Sequence, residues 1–305
     1  DIKAVWEASR FEWLLPMAQR ARFGQLREIE RMNEWLAHWC AANPAYLGPN
    51  WKCGQEASIR VIHLALAARL LGQDTRPQPD LIGLIRAHMI RIYPTVSYAI
   101  GQDNNHGTSE AAGLFIGGHL CYANGIKEGV RWAETGRRLL ENRVRRLIEL
   151  DGSFSQYSVN YHRLMLDTLC VAELWRRWNG LDAFSELFYE RARAATHWLH
   201  AMVNPENGDA PNIGANDGAR LIPLVDTDYR DYRPTVQLAM ALFHNKRAYR
   251  DPGPYDSHLA WLGIVSPETL APDPGCVQFD NGGYVVLRSG PWFALMRYPR
   301  YRFRP

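Results

Sequence analysis

The fold of this chain is constrained most by a series of helix-length segments that follow one another with short connections. In each segment, apolar residues recur at intervals of three and four, which is the pattern of a helix that buries one face. Gly, Pro and Asn residues, which commonly end helices, separate the segments. The nine predicted helices cover about residues 1–22, 25–42, 52–71, 79–92, 108–124, 128–150, 159–179, 182–203 and 232–247.

Short connections make neighbouring helices antiparallel, so the pattern predicts a mainly α protein made of antiparallel helix hairpins. Hairpins of this kind build either a solenoid or a closed ring of helix pairs. Periodicity alone does not choose between these two arrangements.

Two stretches interrupt the helical pattern. Residues 204–221 are rich in Asn, Gly, Asp and Pro, and a long irregular loop is commonly functional or mobile, although a plain surface excursion explains this composition equally well. From Cys276 onwards the residue types favour β-strands. We therefore predict a helical domain at residues 1–270 and the beginning of a truncated β domain at residues 271–305, within a longer polypeptide.

The composition argues against several classes of protein. The formal net charge is only +3, and solvated helix faces explain the basic clusters, so no nucleic acid partner is expected. No apolar run reaches the roughly 18 residues of a membrane span. The cysteines are widely spaced and lack the pattern of a zinc site or a disulfide framework, so they are expected to be structural thiols. These are Cys40, Cys53, Cys121, Cys170 and Cys276.

A polar segment that runs from Gly101 to Thr108 precedes one of the predicted helices. Thr108 or Ser109 is the expected N-cap, so Asn105 and His106 should project from a loop at the helix N-terminus. The backbone N–H groups and the positive partial charge at that end favour a bound carboxylate. The alternative is that the asparagines only form a turn and that His106 is an ordinary loop histidine.

A second segment, residues 151–162, reads as a turn that leads into a helix. Tyr157 and Tyr161 are four residues apart, so they share a face if both are helical. The alternative is that both are core aromatics whose hydroxyl groups are hydrogen-bonded.

Together these two segments resemble the heparinase II/III-like polysaccharide lyase family, which is related to heparinase III and the oligoalginate lyases. The similar motifs are Asn-Asn-His-Gly-Thr at residues 104–108 and a Tyr-His pair at residues 161–162 that follows an Asp-Gly-Ser turn. Asn-Asp-Gly at residues 216–218 and Gly-Gly-Tyr at residues 282–284 occur in the same order as in the family. The resemblance implies an incomplete (α/α) toroid followed by a β-sandwich, of which only the start is present.

The resemblance also implies β-elimination on a uronic-acid polymer. Asn105 and His106 would neutralise the uronate carboxylate, and Tyr161 would act as the general base, the acid, or both, with Tyr157 as the reserve. A tyrosine that acts as a base needs positive charge nearby, for which His162, Arg163 and Arg60 are candidates. The predicted substrate-binding residues are Trp51, Arg60, Tyr157, His162, Asn216 and Arg220, although Arg60 is also placed to pair with Glu56.

The predicted partner is an acidic polysaccharide, such as a glycosaminoglycan, alginate or a bacterial exopolysaccharide, and this substrate favours a periplasmic or secreted setting. No cofactor or metal is expected in this chain. In some relatives the β-sandwich carries a zinc site, and we expect any such site beyond Pro305.

Two other functions fit the same sequence features. A glycoside hydrolase on a similar toroid needs two carboxylates across a cleft, and the candidates are Asp103, Glu110, Asp151 and Asp217. A non-catalytic helical module would bind glycan through its aromatic and basic residues without any chemistry.

Overall fold

The structure is a computed structural model that describes residues 2–290, 292–298 and 302. The described chain is mainly helical and has a small antiparallel sheet near its C-terminal end. The helices are α1 (Ile2–Ala8), α2 (Leu14–Arg22), α3 (Arg27–Ala42), α4 (Gly54–Leu70), α5 (Pro79–Ile92), α6 (Val96–Gly101), α7 (Asn105–Ala123), α8 (Glu128–Leu147), α9 (Val159–Trp178), α10 (Glu186–Met202), α11 (Arg233–Ala239) and α12 (Ser257–Trp261). The strands are β1 (Val277–Phe279), β2 (Tyr284–Ser289) and β3 (Trp292–Arg297).

The predicted mainly helical class is confirmed, but the first predicted helix is wrong. Within residues 2–22 the structure has two helices, α1 and α2, because Phe11 has a left-handed backbone (φ 64) and breaks the segment. The ring of Phe11 is fully buried and packs edge-on against Trp39 at 4.8 Å. Burial of this ring in the core fixes the break between the two helices. The spacing of apolar residues in the sequence does not reveal that constraint.

The chain divides into two compact units. The first contains residues 1–102 and 106–140, and the second contains residues 103–105 and 141–305. In the first unit α4 packs against α2 and α5, and nearly all of its residues are buried, including Glu56 and Arg60. Glu56 pairs with Arg10 through two hydrogen bonds of 2.8 and 2.9 Å, so the pairing of Glu56 with Arg60 that their spacing allows is not the one formed.

In the second unit α9 packs against α10 and α11, and the strands are in the order β1-β2-β3. The rings of Phe279 and Tyr284 face Trp198 of α10 at 6.2 and 5.3 Å. Asp151 accepts hydrogen bonds from the backbone N–H groups of Asn281 and Gly282 at 2.7 and 3.0 Å. The predicted start of β-structure is thereby confirmed, and its final residues, 299–301 and 303–305, lie outside the described residues.

The division predicted at residue 270 stays a prediction. No helix of the described residues is both long and apolar enough to cross a membrane.

Candidate active site

Asn105 is the first residue of α7, and its side chain is buried. The helix begins before Thr108 and Ser109, so the predicted N-cap is wrong and both of these residues lie inside the first turns. The backbone N–H of Asn105 donates to Oε1 of Gln156 at 2.9 Å. One of the N–H groups that a helix start leaves without an intrahelical partner is satisfied in this way.

The earlier start of α7 follows from the way Asp103 is held. Asp103 has a left-handed backbone (φ 50), and its carbonyl accepts a hydrogen bond of 3.0 Å from Ser155. Its carboxylate binds Arg146 at 2.7 Å and Arg143 at 3.0 Å, and the hydrogen bond from Arg146 lowers the pKa of Asp103. The turn is therefore fixed at Asp103, and the helix starts immediately after it.

His106 is the next residue of α7 and lies in the first unit. Burial lowers the pKa of its imidazole, and the negative charge of Glu56 opposes this effect without cancelling it. At neutral pH the ring is therefore mainly uncharged, and it is suited to hydrogen bonding more than to charge neutralisation.

Glu110 follows His106 by one helical turn, so the two side chains lie on the same face of α7. Its carboxyl group is buried against the start of α4, where a Cβ atom on Gly54 would lie 2.6 Å from both carboxyl oxygens. Burial raises the pKa of Glu110 to about 8 against the opposing charge of Arg91. The sequence marks Glu110 only as a hydrolase carboxylate, because the contact with Gly54 has no local signal.

Tyr161 lies in the first turn of α9, and its backbone N–H donates to the N-cap side chain of Ser158 at 3.1 Å. Its hydroxyl group donates to Oδ2 of Asp217 at 3.0 Å. Tyr157 has φ 51 and precedes the helix, so the two tyrosines do not share a helical face. The buried hydroxyl of Tyr157 accepts a hydrogen bond of 2.9 Å from the backbone of Arg302, which gives Tyr157 a packing role.

The loop at residues 204–221 is fastened to the start of α9. Ser158 donates to the carbonyl of Ala215 at 2.5 Å, and the backbone N–H of Val159 donates to the carbonyl of Ile213 at 3.3 Å. Gly214 has φ 72, and a Cβ atom there would lie 2.4 Å from the carbonyl oxygen of Tyr157. Only glycine fits such a close left-handed position, and the contact sets the course of the loop towards Asp217.

Asp217 is held by groups besides Tyr161. Its Oδ1 atom accepts from the backbone N–H of Ala219 at 3.2 Å and from the side-chain amide of Asn160 at 3.3 Å. The amide oxygen of Asn160 in turn accepts from the buried guanidinium of Arg163 at 2.8 Å. The sequence marks Asp217 only as a hydrolase carboxylate and as part of the Asn-Asp-Gly motif, and its contact with Tyr161 depends on the folded loop.

The structure places two predicted substrate contacts in the core of the first unit. Arg60 is fully buried and donates to the carbonyl of Asn50 at 2.7 Å and to Nε2 of His88 at 2.9 Å. Trp51 is buried and donates to the carbonyl of Asn43 at 3.0 Å. Burial of both side chains argues against contact with a polymer.

His162 is also a core residue. It is fully buried, stacks on Trp198 with ring centroids 4.4 Å apart, and forms a hydrogen bond of 2.9 Å with the carbonyl of Ala195. Burial lowers the pKa of His162 to about 4. An uncharged imidazole cannot supply positive charge beside Tyr161, the role for which His162, Arg163 and Arg60 are the candidates in the sequence.

Asn216 and Arg220 are more accessible. Asn216 is exposed, and its amide oxygen accepts from the backbone N–H of Gly218 at 2.9 Å. Arg220 is half-buried and donates to the carbonyl of Thr227 at 3.2 Å. Their predicted roles in substrate binding stay predictions.

Asn216 lines a pocket of about 330 Å³ in the second unit. The ring of Tyr232, which also lines the pocket, lies 4.3 Å from the guanidinium of Arg163, measured from the ring centre. The lining combines aromatic, amide and charged groups, which suits a polar ligand such as a sugar. It consists of Asp209, Ala210, Asn212, Asn216, Tyr229, Arg230 and Tyr232.

Across residues 2–290, 292–298 and 302, no three His, Cys, Asp or Glu side chains are grouped so that they could hold a metal ion. The zinc site expected beyond Pro305 stays a prediction.

The chain is similar in sequence to the heparin-sulfate lyase of Bacteroides thetaiotaomicron, with 20% identity over 92% of this chain and 40% of the relative. No family model matches the chain. Its fold is similar to the crystal structure of heparinase III, with a TM-score of 0.66, 19% identity, and coverage of 97% of this chain and 45% of that structure. A heparan sulfate lyase HepC mutant from Pedobacter heparinus gives a TM-score of 0.59 and 17% identity, over 95% of this chain and 43% of that structure.

These similarities confirm the predicted resemblance to heparinase III-like lyases. The chain spans less than half the length of each of these relatives.

Proposed function

We propose that this chain, which is similar in sequence and fold to heparinase III, is the helical part of a polysaccharide lyase. The reaction would be β-elimination on a uronic-acid polymer, and the relatives' names, which refer to heparin and heparan sulfate, favour a sulfated glycosaminoglycan. The observation that carries this proposal is the hydroxyl group of Tyr161, which is held by Asp217 in the first turn of α9. This contact orients the hydroxyl group and supports a role for Tyr161 in proton transfer.

Elimination first requires stabilisation of negative charge. Loss of the C5 proton of a uronate generates a carbanion-like transition state, and the adjacent carboxylate opposes it. Asn105 lies at the N-terminus of α7, where the helix dipole favours an anion. Its amide group and the mainly uncharged imidazole of His106 would act as hydrogen-bond donors to the carboxylate, and fixed donors stabilise developing charge better than water does.

Tyr161 would transfer the protons. It takes the C5 proton, and it returns a proton to the glycosidic oxygen as the C4–O bond breaks. The uncharged ring of His162 supplies no positive charge for this transfer. Asp217 contacts the Tyr161 hydroxyl group at 3.0 Å.

The polymer would be bound on the second unit by the pocket that Asn216 lines, with Arg220 as a further contact from the same loop. Tyr229 offers a ring face there, and Arg230, which pairs with Asp209, offers a cation for a carboxylate or sulfate. The proposal includes the incomplete toroid of helix hairpins, supported by the packing of α2 on α3, α4 on α5 and α9 on α10. The proposal also includes a periplasmic or secreted location, where such polymers occur.

Glycoside hydrolysis is the second candidate, and the raised pKa of Glu110 favours it, because a general acid must hold its proton at neutral pH. A partner carboxylate is harder to assign. Asp103 is bound by Arg143 and Arg146, and Asp151 accepts backbone hydrogen bonds from the β1–β2 turn.

The product distinguishes these functions. The whole protein and its Tyr161→Phe variant would be assayed on heparan sulfate, heparin, hyaluronan and alginate, with ultraviolet absorbance for unsaturated ends and a reducing-end assay in parallel. Absorbance that rises with the native protein and is lost in the variant supports a lyase. Reducing ends without absorbance would establish hydrolysis, and binding without either product would establish a glycan-binding module.

A further inference from the structure

Two charged side chains lie in the wall of the pocket that Asn216 lines, and they are paired with each other. Arg230 donates to Oδ2 of Asp209, and of the described residues that line this pocket these two are the ones that carry a charge at neutral pH. Their side chains are 64% and 37% exposed, so a ligand in the pocket can reach both. An acidic ligand that uses Arg230 must therefore compete with Asp209.

Asp209 is held in place by bonds that do not involve Arg230. Its Oδ1 atom accepts from the backbone N–H of Ala210 at 2.9 Å. Its own backbone N–H donates to Oδ1 of Asn207 at 2.9 Å, and its carbonyl accepts from the backbone N–H of Asn204 at 2.8 Å. The carboxylate therefore keeps its position in the pocket wall when Arg230 turns away.

Arg230 is fixed at its backbone, and its side chain is the exposed part. Its backbone N–H donates to Oδ1 of Asp228 at 2.8 Å. The backbone N–H of Tyr232 donates to the carbonyl of Gly208 at 2.8 Å, which joins the segment of Arg230 to the segment of Asp209. On this fixed backbone the guanidinium can turn by a change of rotamer.

An exposed ion pair of this kind is easily exchanged. Water screens its charges, and holding two side chains in one geometry costs entropy, so such pairs contribute little to stability. The carboxylate or sulfate of a sugar can form the same charged hydrogen bonds with the guanidinium, and two of them at once. After the exchange, Oδ2 of Asp209 is left to accept hydrogen bonds from sugar hydroxyl groups.

We propose that the anionic group of a bound sugar replaces Asp209 as the partner of Arg230. Asp209 is thereby an internal competitor that determines how strongly the pocket prefers acidic over neutral sugars. The inference rests on the proposed function for its class of ligand, an acidic polysaccharide. Asp209 acts through Arg230 and takes no part in the elimination itself.

The test measures binding by calorimetry, so its readout does not depend on turnover. All variants would be made in the whole protein with Tyr161→Phe, so that cleavage does not consume the ligand. The acidic ligands would be short chains of heparan sulfate, heparin, hyaluronan and alginate. Carboxyl-reduced hyaluronan and alginate, in which each carboxylate becomes a neutral alcohol, would serve as the neutral counterparts.

The matched control is Glu186→Gln. Glu186 forms an exposed ion pair with Arg193 at 2.6 Å in the same unit, and neither residue lines the pocket. This substitution removes one negative charge, as Asp209→Asn does, but at a different place. It should leave the Kd of every ligand unchanged.

Asp209→Asn should lower the Kd of the acidic chains by about threefold to tenfold, because the competitor is removed, and should leave the neutral chains nearly unchanged. Arg230→Gln should raise the Kd of the acidic chains by about tenfold or more. The gain from Asp209→Asn must depend on Arg230. In an Arg230→Gln protein it should therefore shrink to less than about twofold.

Four results would overturn the inference. Asp209→Asn might bind acidic chains no more tightly than its parent, its gain might be as large without Arg230, or its gain might extend equally to neutral chains. The fourth result is that no acidic chain binds the parent protein. The lyase function is judged separately, by unsaturated ends: a lyase whose Kd ignores Asp209 refutes the exchange alone, and an exchange without unsaturated ends refutes the lyase alone.

Discussion

Tyr161 and Asp217 lie 56 residues apart in the chain, and a hydrogen bond of 3.0 Å joins the hydroxyl group of one to the carboxylate of the other. The first belongs to a helix and the second to an irregular loop that is fastened to the start of that helix through Ser158 and Gly214. This pair connects the loop to the proposed chemistry.

Replacement of Tyr161 by phenylalanine should lower kcat by about 10²–10⁴-fold, because the proton-transfer group is lost while the ring remains. Polymer binding, measured by calorimetry, should change little. Tyr157→Phe is the matched control, since its hydroxyl accepts a backbone hydrogen bond from Arg302 inside the second unit. Equal losses of kcat in the two variants would contradict the role given to Tyr161.

Asn105→Ala should lower kcat by about 10²–10³-fold, because a donor to the uronate carboxylate is removed. Asn124→Ala is the control at the other end of α7, where the Asn124 side chain donates to the carbonyl of Leu120. Steady-state kinetics would be combined with thermal unfolding of both variants. A native kcat in a folded Asn105→Ala protein would remove Asn105 from the mechanism.

Glu110 should make the protein less stable as the pH rises. Its folded-state pKa of about 8 lies above its ordinary value of 4.5, so the folded state retains a proton that the unfolded state loses between these values. Stability should fall through this range, by about 2–3 kcal/mol between pH 6 and 8.5. Glu110→Gln should remove this part of the pH dependence of the unfolding free energy.

The control for that measurement is Glu128→Gln, since Glu128 is exposed at the start of α8. A pH dependence in Glu110→Gln that matches the native protein would show that Glu110 is ionised in the fold, and it would also remove the main support for a hydrolase acid at this position.

His162 should make the protein sensitive to acid. Its folded-state pKa of about 4 lies below the ordinary value of 6.5, so its contribution to stability is present above 6.5 and is lost as the pH falls towards 4. At pH 5 the loss should reach about 2 kcal/mol. In His162→Phe, which keeps the stack on Trp198, the unfolding free energy should fall less between pH 7 and 5.

The exposed His38 provides the comparison for this experiment. His38→Gln should lose as much stability on acidification as the native protein. An equal loss in His162→Phe would mean that His162 is not held uncharged in the core.

The sequence by itself determined the helical class and the positions of most helices. From α3 to α10, apolar residues spaced by three and four, together with Gly and Pro at the ends, locate the helices longer than one or two turns to within a few residues. It also located the change to β-structure after Cys276, because β-branched and aromatic residues replace the helical pattern there. These are local properties, so neighbouring residues are sufficient to reveal them.

The motif around Asn105, His106 and Tyr161 was also recognisable from the sequence, since its residue order resembles that of known lyases. The burial and the contacts of the residues around this motif were not recognisable from the sequence. Arg60 and His162 have residue types that suit substrate contact, yet both are core residues, and Glu110 faces Gly54 from a different helix. Burial depends on which faces of the helices meet, and residue type does not determine that.

Only the tertiary structure decided which side chain receives the hydrogen bond of Tyr161. The Asn-Asp-Gly segment indicates a turn, but a turn alone has no preferred helix. The backbone bonds at Ser158 and Val159 and the close approach at Gly214 bring that turn to the start of α9. Such long-range contacts arise from the packing of the whole chain, and they are the physical reason why the contact between Tyr161 and Asp217 was found in the fold and not in the sequence pattern.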